Sequence, residues 1–152
     1  MVDLIKGGEI DLDESDRKSA TPLWLACKYG HTQIAKLLIK KGANVNESNF
    51  QYVTPLMALL SDCESVPDED LIDLIIEKTE SLEDTSVFNE NALNYAIRSG
   101  HEEAAKKLMA AGLRFVEDPT GPYGNVLYYA VSHEMLDMVE RILEKTESNK
   151  ML

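Results

Sequence analysis

The chain has 152 residues, room for one compact body or a short array of stacked units. With 44% hydrophobic and 28% charged residues it is expected to fold, which sets aside wholesale disorder and collagen-like or low-complexity chains. Its 15 Lys and Arg against 27 Asp and Glu leave a formal charge of −12, which repels nucleic-acid phosphates and anionic lipid, so neither nucleic acid nor membrane is expected among its partners.

The amino terminus shows no basic leader, apolar core or small-residue cleavage site, so no secretion signal is expected. The first clear element is a short helix from Pro22 through Tyr29, opened by Thr21 as a cap residue before a proline. Gly30-His31 breaks it. A second helix follows, with Ile34, Leu37 and Leu38 spaced to lie on one face, and Gly42 closes it. Thr54-Pro55-Leu56 then repeats Thr21-Pro22-Leu23 at a distance of 33 residues. Its second helix is expected from Leu71 to Lys78, with Leu71, Leu74 and Ile75 inward. Asn91-Ala92-Leu93 stands 37 residues beyond Thr54, and the extra four fall in the loop Asp62 to Asp68. Ala96 and Gly100-His101 repeat the frame of Ala26 and Gly30-His31, ahead of a helix Glu102 to Ala111 that faces Ala104 and Leu108 inward. A fourth copy opens at Asn125-Val126-Leu127, 34 residues after Asn91, with its second helix from Met135 to Lys145 and Met138, Ile142 and Leu143 inward.

Thr21-Pro22-Leu23, Ala26, Gly30-His31, Leu37-Leu38 and Gly42-Ala43-Asn44-Val45-Asn46 stand in the order and at the period of about 33 residues that mark an ankyrin repeat, and the chain resembles an ankyrin-repeat protein over about residues 16 to 146. The resemblance implies an all-α solenoid of stacked helix-turn-helix units with extended finger loops. The units are read as residues 16–48, 49–85 with the insertion, 86–119 and 120–152, and residues 1–15, with Leu4-Ile5-Lys6-Gly7-Gly8 like the tail of a second helix, as a partial repeat or cap. Leu59 replaces the small Ala26, Thr79 and Thr146 replace Gly42, and Asn91 and Asn125 replace Thr21. The second unit is therefore expected to be the least regular, opening locally near Asp62 to Asp70.

Catalytic chemistry finds little support. Cys27 falls on a packed first helix as a small hydrophobe, and Cys63 sits among acidic neighbours that disfavour its thiolate. With no disulfide framework or zinc pattern, free thiols and a cytosolic or nuclear setting are expected. His31 and His101 hold equivalent places after a glycine, where they satisfy backbone groups at the start of a helix. The acidic runs lack the alternation and central glycine of a calcium loop, and no glycine-rich phosphate cradle is present. No enzyme activity, metal or cofactor is expected.

What remains is a surface for another protein. The resemblance places binding on the concave side formed by fingers and first helices: Arg17, Lys18, Lys28 and Tyr29 in the first unit, Phe50, Gln51 and Val53 in the second, Val87, Phe88, Glu90 and Arg98 in the third, and His133 in the fourth, with Gly121, Pro122 and Gly124 on its finger. Phe50 and Phe88 either anchor a partner or fold back on neighbouring fingers. With no heptad pattern, a monomer is expected. Two readings stand: a scaffold, adaptor or inhibitor, or the recognition segment of a larger enzyme or channel.

Overall fold

The computed structural model describes residues 10–62, 64–116 and 125–150. The expected Leu4 to Gly8 helix tail, Cys63 and the fourth finger's Gly121, Pro122 and Gly124 lie outside the described residues. The described residues form helices and no strand: α1 (Pro22–Lys28), α2 (Thr32–Lys40), α3 (Pro55–Leu60), α4 (Glu69–Lys78), α5 (Ala92–Ser99), α6 (Glu102–Ala110), α7 (Val126–Ser132) and α8 (Leu136–Lys150). Short first helices alternate with longer second helices. The first helices pack in sequence, α1 on α3, α3 on α5 and α5 on α7, while α2, α4 and α6 line up behind them.

Local chemistry starts each first helix in the same way. Thr21, Thr54, Asn91 and Asn125 accept hydrogen bonds at their side-chain oxygens from the amides of Trp24, Met57, Asn94 and Leu127. The asparagines thus do the work of the threonine they replace. At the other end, Gly42 (φ 99°) follows the α2 cap residue and takes the left-handed turn that lets Ala43 N donate to Leu38 O. Thr79, in place of such a glycine, closes α4 by donating its hydroxyl to Ile75 O at 2.6 Å.

The core is a continuous apolar seam through the stack. Leu23, Leu60, Leu71, Ile75, Leu93, Ile97, Leu108 and Met138 are each 2% exposed or less, and Leu59, standing where Ala26 does, is buried as well. Two inward assignments need correction. Ile34 and Leu37 are 54% and 55% exposed, and α2 buries Ala35 and Ile39 instead. Leu143 is likewise exposed, while Met138 and Ile142 are buried. A helical period fixes which residues share a face, but burial needs a neighbour against that face. Ile34 stands in register with Leu71, Ala104 and Met138, all of which are buried.

Ion pairs stitch successive second helices together. Lys36 Nζ lies 3.0 Å from Asp68, Lys107 Nζ 2.9 Å from Asp73, and Lys106 Nζ 2.7 Å from Asp137. Hydrogen bonds within these pairs lift the lysines at 106 and 107 above the usual lysine range and hold Asp137 below the usual carboxylate range, while Asp68 is held low first by the Leu71 amide and then by Lys36. Being solvent-exposed, they set register more than they add stability.

Candidate protein-binding surface

Three fingers share one construction. Asp16, Asn49 and Ser86 open tight turns in which Ser19, Tyr52 and Asn89 adopt left-handed φ values of 60°, 58° and 56°. Each turn closes through a backbone pair: Asp16 N to Ala20 O, Asn49 N to Val53 O, and Ser86 N to Glu90 O, at 3.0, 3.0 and 2.9 Å. The Asp16 and Asn49 side chains accept further amide bonds from inside their own turns, fixing the tip without a strand. Adjacent fingers are then joined, because Phe50 N donates to Lys18 O at 3.0 Å and Val87 N to Gln51 O at 2.9 Å. Lys18, Phe50, Gln51 and Val87 therefore form one bonded strip.

Behind the fingers, side chains at the start of the first helices reach distant backbone, in the next unit for Trp24 and at the far end of their own unit for Asn91 and Asn94. Trp24 Nε1 donates to Val53 O at 2.8 Å. Asn94, three residues beyond its cap as Trp24 is, donates to Val116 O at 2.9 Å and accepts from Val116 N at 2.8 Å. Asn91 Nδ2 also donates to Arg114 O at 2.6 Å. The Trp24 bond holds the second finger over the unit before it, and the Asn91 and Asn94 bonds fasten the segment after α6 to the start of α5.

The structure separates the expected binding residues into open and enclosed groups. Arg17, Lys18, Lys28 and Val87 are exposed, and Tyr29 and Phe50 are 68% and 58% exposed. Gln51 and Phe88 are half-buried. Val53 is corrected: it is a core residue, 7% exposed, beneath the carbonyl that Trp24 bonds. Glu90 is corrected also, since it is 7% exposed and its Oε2 accepts from Arg98 Nη2 at 3.2 Å. Burial lifts the Glu90 pKa above the usual carboxylate range, against the pull of that guanidinium. Arg98 is further held over the Tyr95 ring, 4.8 Å from its centroid, so its charge is directed inward. His133 donates or accepts at Nε2 against Arg98 O at 2.9 Å; because a carbonyl only accepts, the ring carries its proton there.

Tyr52, 64% exposed on the second finger, is a fingertip residue that the sequence reading left out. Its signal was its place two residues before Thr54, as Ser19 stands before Thr21 and Asn89 before Asn91. Cys27 is 2% exposed, and burial pushes its thiol up to about 12, which leaves it protonated and inert. His31 and His101 both occupy helix caps without a side-chain cap bond. His101 instead donates from Nε2 to the Asp62 carbonyl, tying the insertion loop to α6. Among the described residues, no group of three His, Cys, Asp or Glu is placed to hold a metal ion, and no helix is long and apolar enough to cross a membrane.

Comparison with known proteins agrees with this architecture. The ankyrin repeat family matches residues 19–50, and the three-copy ankyrin repeats family matches residues 59–151. An ankyrin repeat protein of Escherichia coli (strain K12), YahD, is 33% identical over 104 residues, 67% of this chain and 52% of its own length. Ankyrin repeat domain-containing protein 13B of Mus musculus is 31% identical over 72 residues, 47% of this chain and 11% of its own. Ankyrin repeat and KH domain-containing protein mask-1 of Caenorhabditis elegans is 33% identical over 57 residues, 38% of this chain and 2% of its own. The chain thus spans about half or less of these curated relatives. With helix pairs in register and family matches over most of its length, the chain belongs to the ankyrin-repeat family.

Proposed function

We propose that the chain is a non-catalytic interaction module, a scaffold, adaptor or inhibitor, that holds a segment of a partner protein across its fingers and first helices. The observation that carries this reading is the bonded fingertip strip, on which Phe50 and Val87 stand 58% and 52% exposed beside Lys18 and Gln51. An exposed ring on a pre-ordered backbone loses little freedom when it is covered, which favours its use as an anchor. Arg17, Lys18 and Lys28 bring positive charge to this side of a chain whose net charge is −12. The partner segment is accordingly one that combines apolar and acidic residues. The units acting together are residues 16–48, 49–85, 86–119 and 120–152, with 1–15 as a partial repeat; the module works as a monomer, without a cofactor, in a cytosolic or nuclear setting.

Affinity capture from source-cell lysate tests this, with wild type beside Phe50→Ala/Val87→Ala. Retention of the same protein by wild type alone, with equal unfolding midpoints for both chains, supports the strip as the site. Equal retention by both chains removes it. A second reading, the recognition segment of a larger enzyme or channel, is favoured by relatives in which the matching stretch is 11% or 2% of the length. In-frame coding sequence continuous with either end of this chain tests that reading.

A further inference from the structure

The fourth unit has no unit stacked beyond it among the described residues, and the side that such a unit would cover is apolar. Tyr128, Val131 and Leu136 are each more than half exposed there, Leu143 is 46% exposed, and Val139 is half-buried. In the earlier units the same places are enclosed or reach the next unit. Val131 stands where Cys27, Leu60 and Ile97 are buried, Leu143 where Ile39 is buried, and Tyr128 where Trp24 bonds the next unit's Val53 carbonyl. A terminal repeat needs a polar outer face for solubility, and an end that keeps the composition of an inner unit is suited to being covered.

The inter-unit ion pairs specify the chemistry of the cover. One register position of the second helices is paired to the following unit each time: Lys36 to Asp68, Asp73 to Lys107 and Lys106 to Asp137, at 3.0, 2.9 and 2.7 Å. In α8 that position is Glu140, which is exposed and in no ion pair among the described residues. Continuing the pattern takes a cation on the incoming helix, as Lys107 serves Asp73. The chain does not turn back over this face where earlier units turn. The second helices α2 and α6 end at Lys40 and Ala110, whereas α8 stays helical past Glu144, which is in register with both, through Lys150. A second copy does not complete the pattern either. Its α2 end would bring His31, Gln33 and Leu37 to the places of Asp68, Asp137 and Lys107, with no lysine or arginine among them.

We propose that this end face docks an amphipathic helix of a partner polypeptide, its apolar side against Tyr128, Val131, Leu136 and Leu143 and a lysine or arginine on Glu140. Apolar residues three and four apart on the incoming helix would continue the helix-on-helix packing that runs through the stack. The face lies at the end of the array, apart from the bonded fingertip strip. It takes a basic segment where the strip takes an acidic one, so the two sites are separable by mutation.

Amide NMR titration of the full 152-residue chain with a stapled helical peptide tests the proposal, its leucines three and four residues apart and flanked by lysines, beside a twin with glutamates for the lysines. The expected result is saturable shifts confined to α7 and α8, with the lysine peptide bound more tightly than its twin. Leu136→Gln/Leu143→Gln should weaken binding about tenfold or more at an unchanged urea midpoint, as two exposed anchors are lost. Glu140→Lys should weaken the lysine peptide about fivefold and tighten the twin. Glu83→Lys, the same charge change on the exposed loop after α4, should leave both within about twofold. Phe50→Ala/Val87→Ala should bind the peptide as wild type does, so loss of the fingertip site and loss of the end face read differently. Shifts on the fingers, or none that saturate, overturn the end face as a docking site. Equal effects of the two charge reversals overturn the role of Glu140 by reducing it to diffuse acidity. Sedimentation that shows the wild-type chain dimerising and the double glutamine variant monomeric would make the occupant a second copy and overturn the partner helix.

Discussion

The imidazole Nε2 of His101 donates to the main-chain carbonyl of Asp62, so a side chain at the cap of α6 fixes the insertion loop of the preceding unit. Burial lowers the His101 pKa below its usual 6.5 and His133 lowers it further, while the Asp62 carbonyl and carboxylate oppose the shift. The unfolded chain therefore takes up a proton near pH 6.5 that the folded chain resists. Stability from this group is complete above that pH, falls as pH drops from there toward the folded value, and changes no further below it. We expect the urea midpoint to decrease between about pH 7.5 and pH 5.5, and His101→Gln to flatten that decrease. The lowered pKa values of Asp62, Asp68 and Asp137 act in a separate window, below their usual 3.8. A midpoint that is constant across the upper window would remove His101 as its source.

Gly100 and Gly30 make a matched pair. Both take left-handed backbone, φ 82° and 71°, yet a β-carbon on Gly100 would stand 2.8 Å from His133 Nδ1 while one on Gly30 meets nothing within 4 Å. Gly30→Ala should cost about 1 kcal/mol, the strain of that backbone alone. Gly100→Ala should cost about 2–3 kcal/mol, as crowding of a packed site adds to strain. In the Gly100→Ala/His133→Ala double variant the excess should vanish, as read by chemical denaturation.

Ile34 and Leu71 hold the same register position, and one is 54% exposed while the other is fully buried. Leu71→Ala should destabilise by about 2–5 kcal/mol, the range for large core truncations. Ile34→Ala should cost less than about 1 kcal/mol, because little area leaves water on folding. Similar costs for the two would mean that Ile34 is covered in solution.

The repeat frame was legible because it rests on local chemistry. Caps at Thr21, Thr54, Asn91 and Asn125, the glycine after α2 and the four-residue excess before Asp68 are all short-range signals, and each lies where the helices begin or end. The exposure of Ile34, Leu37 and Leu143 was not legible, because helical spacing is silent on whether a neighbour covers the face. Val53 and Glu90 were read from their finger positions, and their burial depends on Trp24, 29 residues away, and on Arg98 in the following helix. Loop opening was expected from Asp62 to Asp70. Asp68 caps Leu71 N at 2.8 Å, His101 holds Asp62, and Asp62 in turn accepts from Glu64 N and Ser65 Oγ at 2.8 and 2.7 Å, ties between loop residues that the sequence pattern does not display.

The fit of the His133 ring over Gly100 also gives the array a grammar. Glu134 holds in the fourth unit the place that Gly100 holds in the third, at φ 55° and with a β-carbon. A tandem duplicate of the fourth unit would press its own histidine against that side chain, whereas the same unit could follow the first, where Gly30 leaves the space open. Gene-level shuffling of these modules is thus constrained by pairwise compatibility at each junction, and the order of the units is itself part of what the sequence encodes.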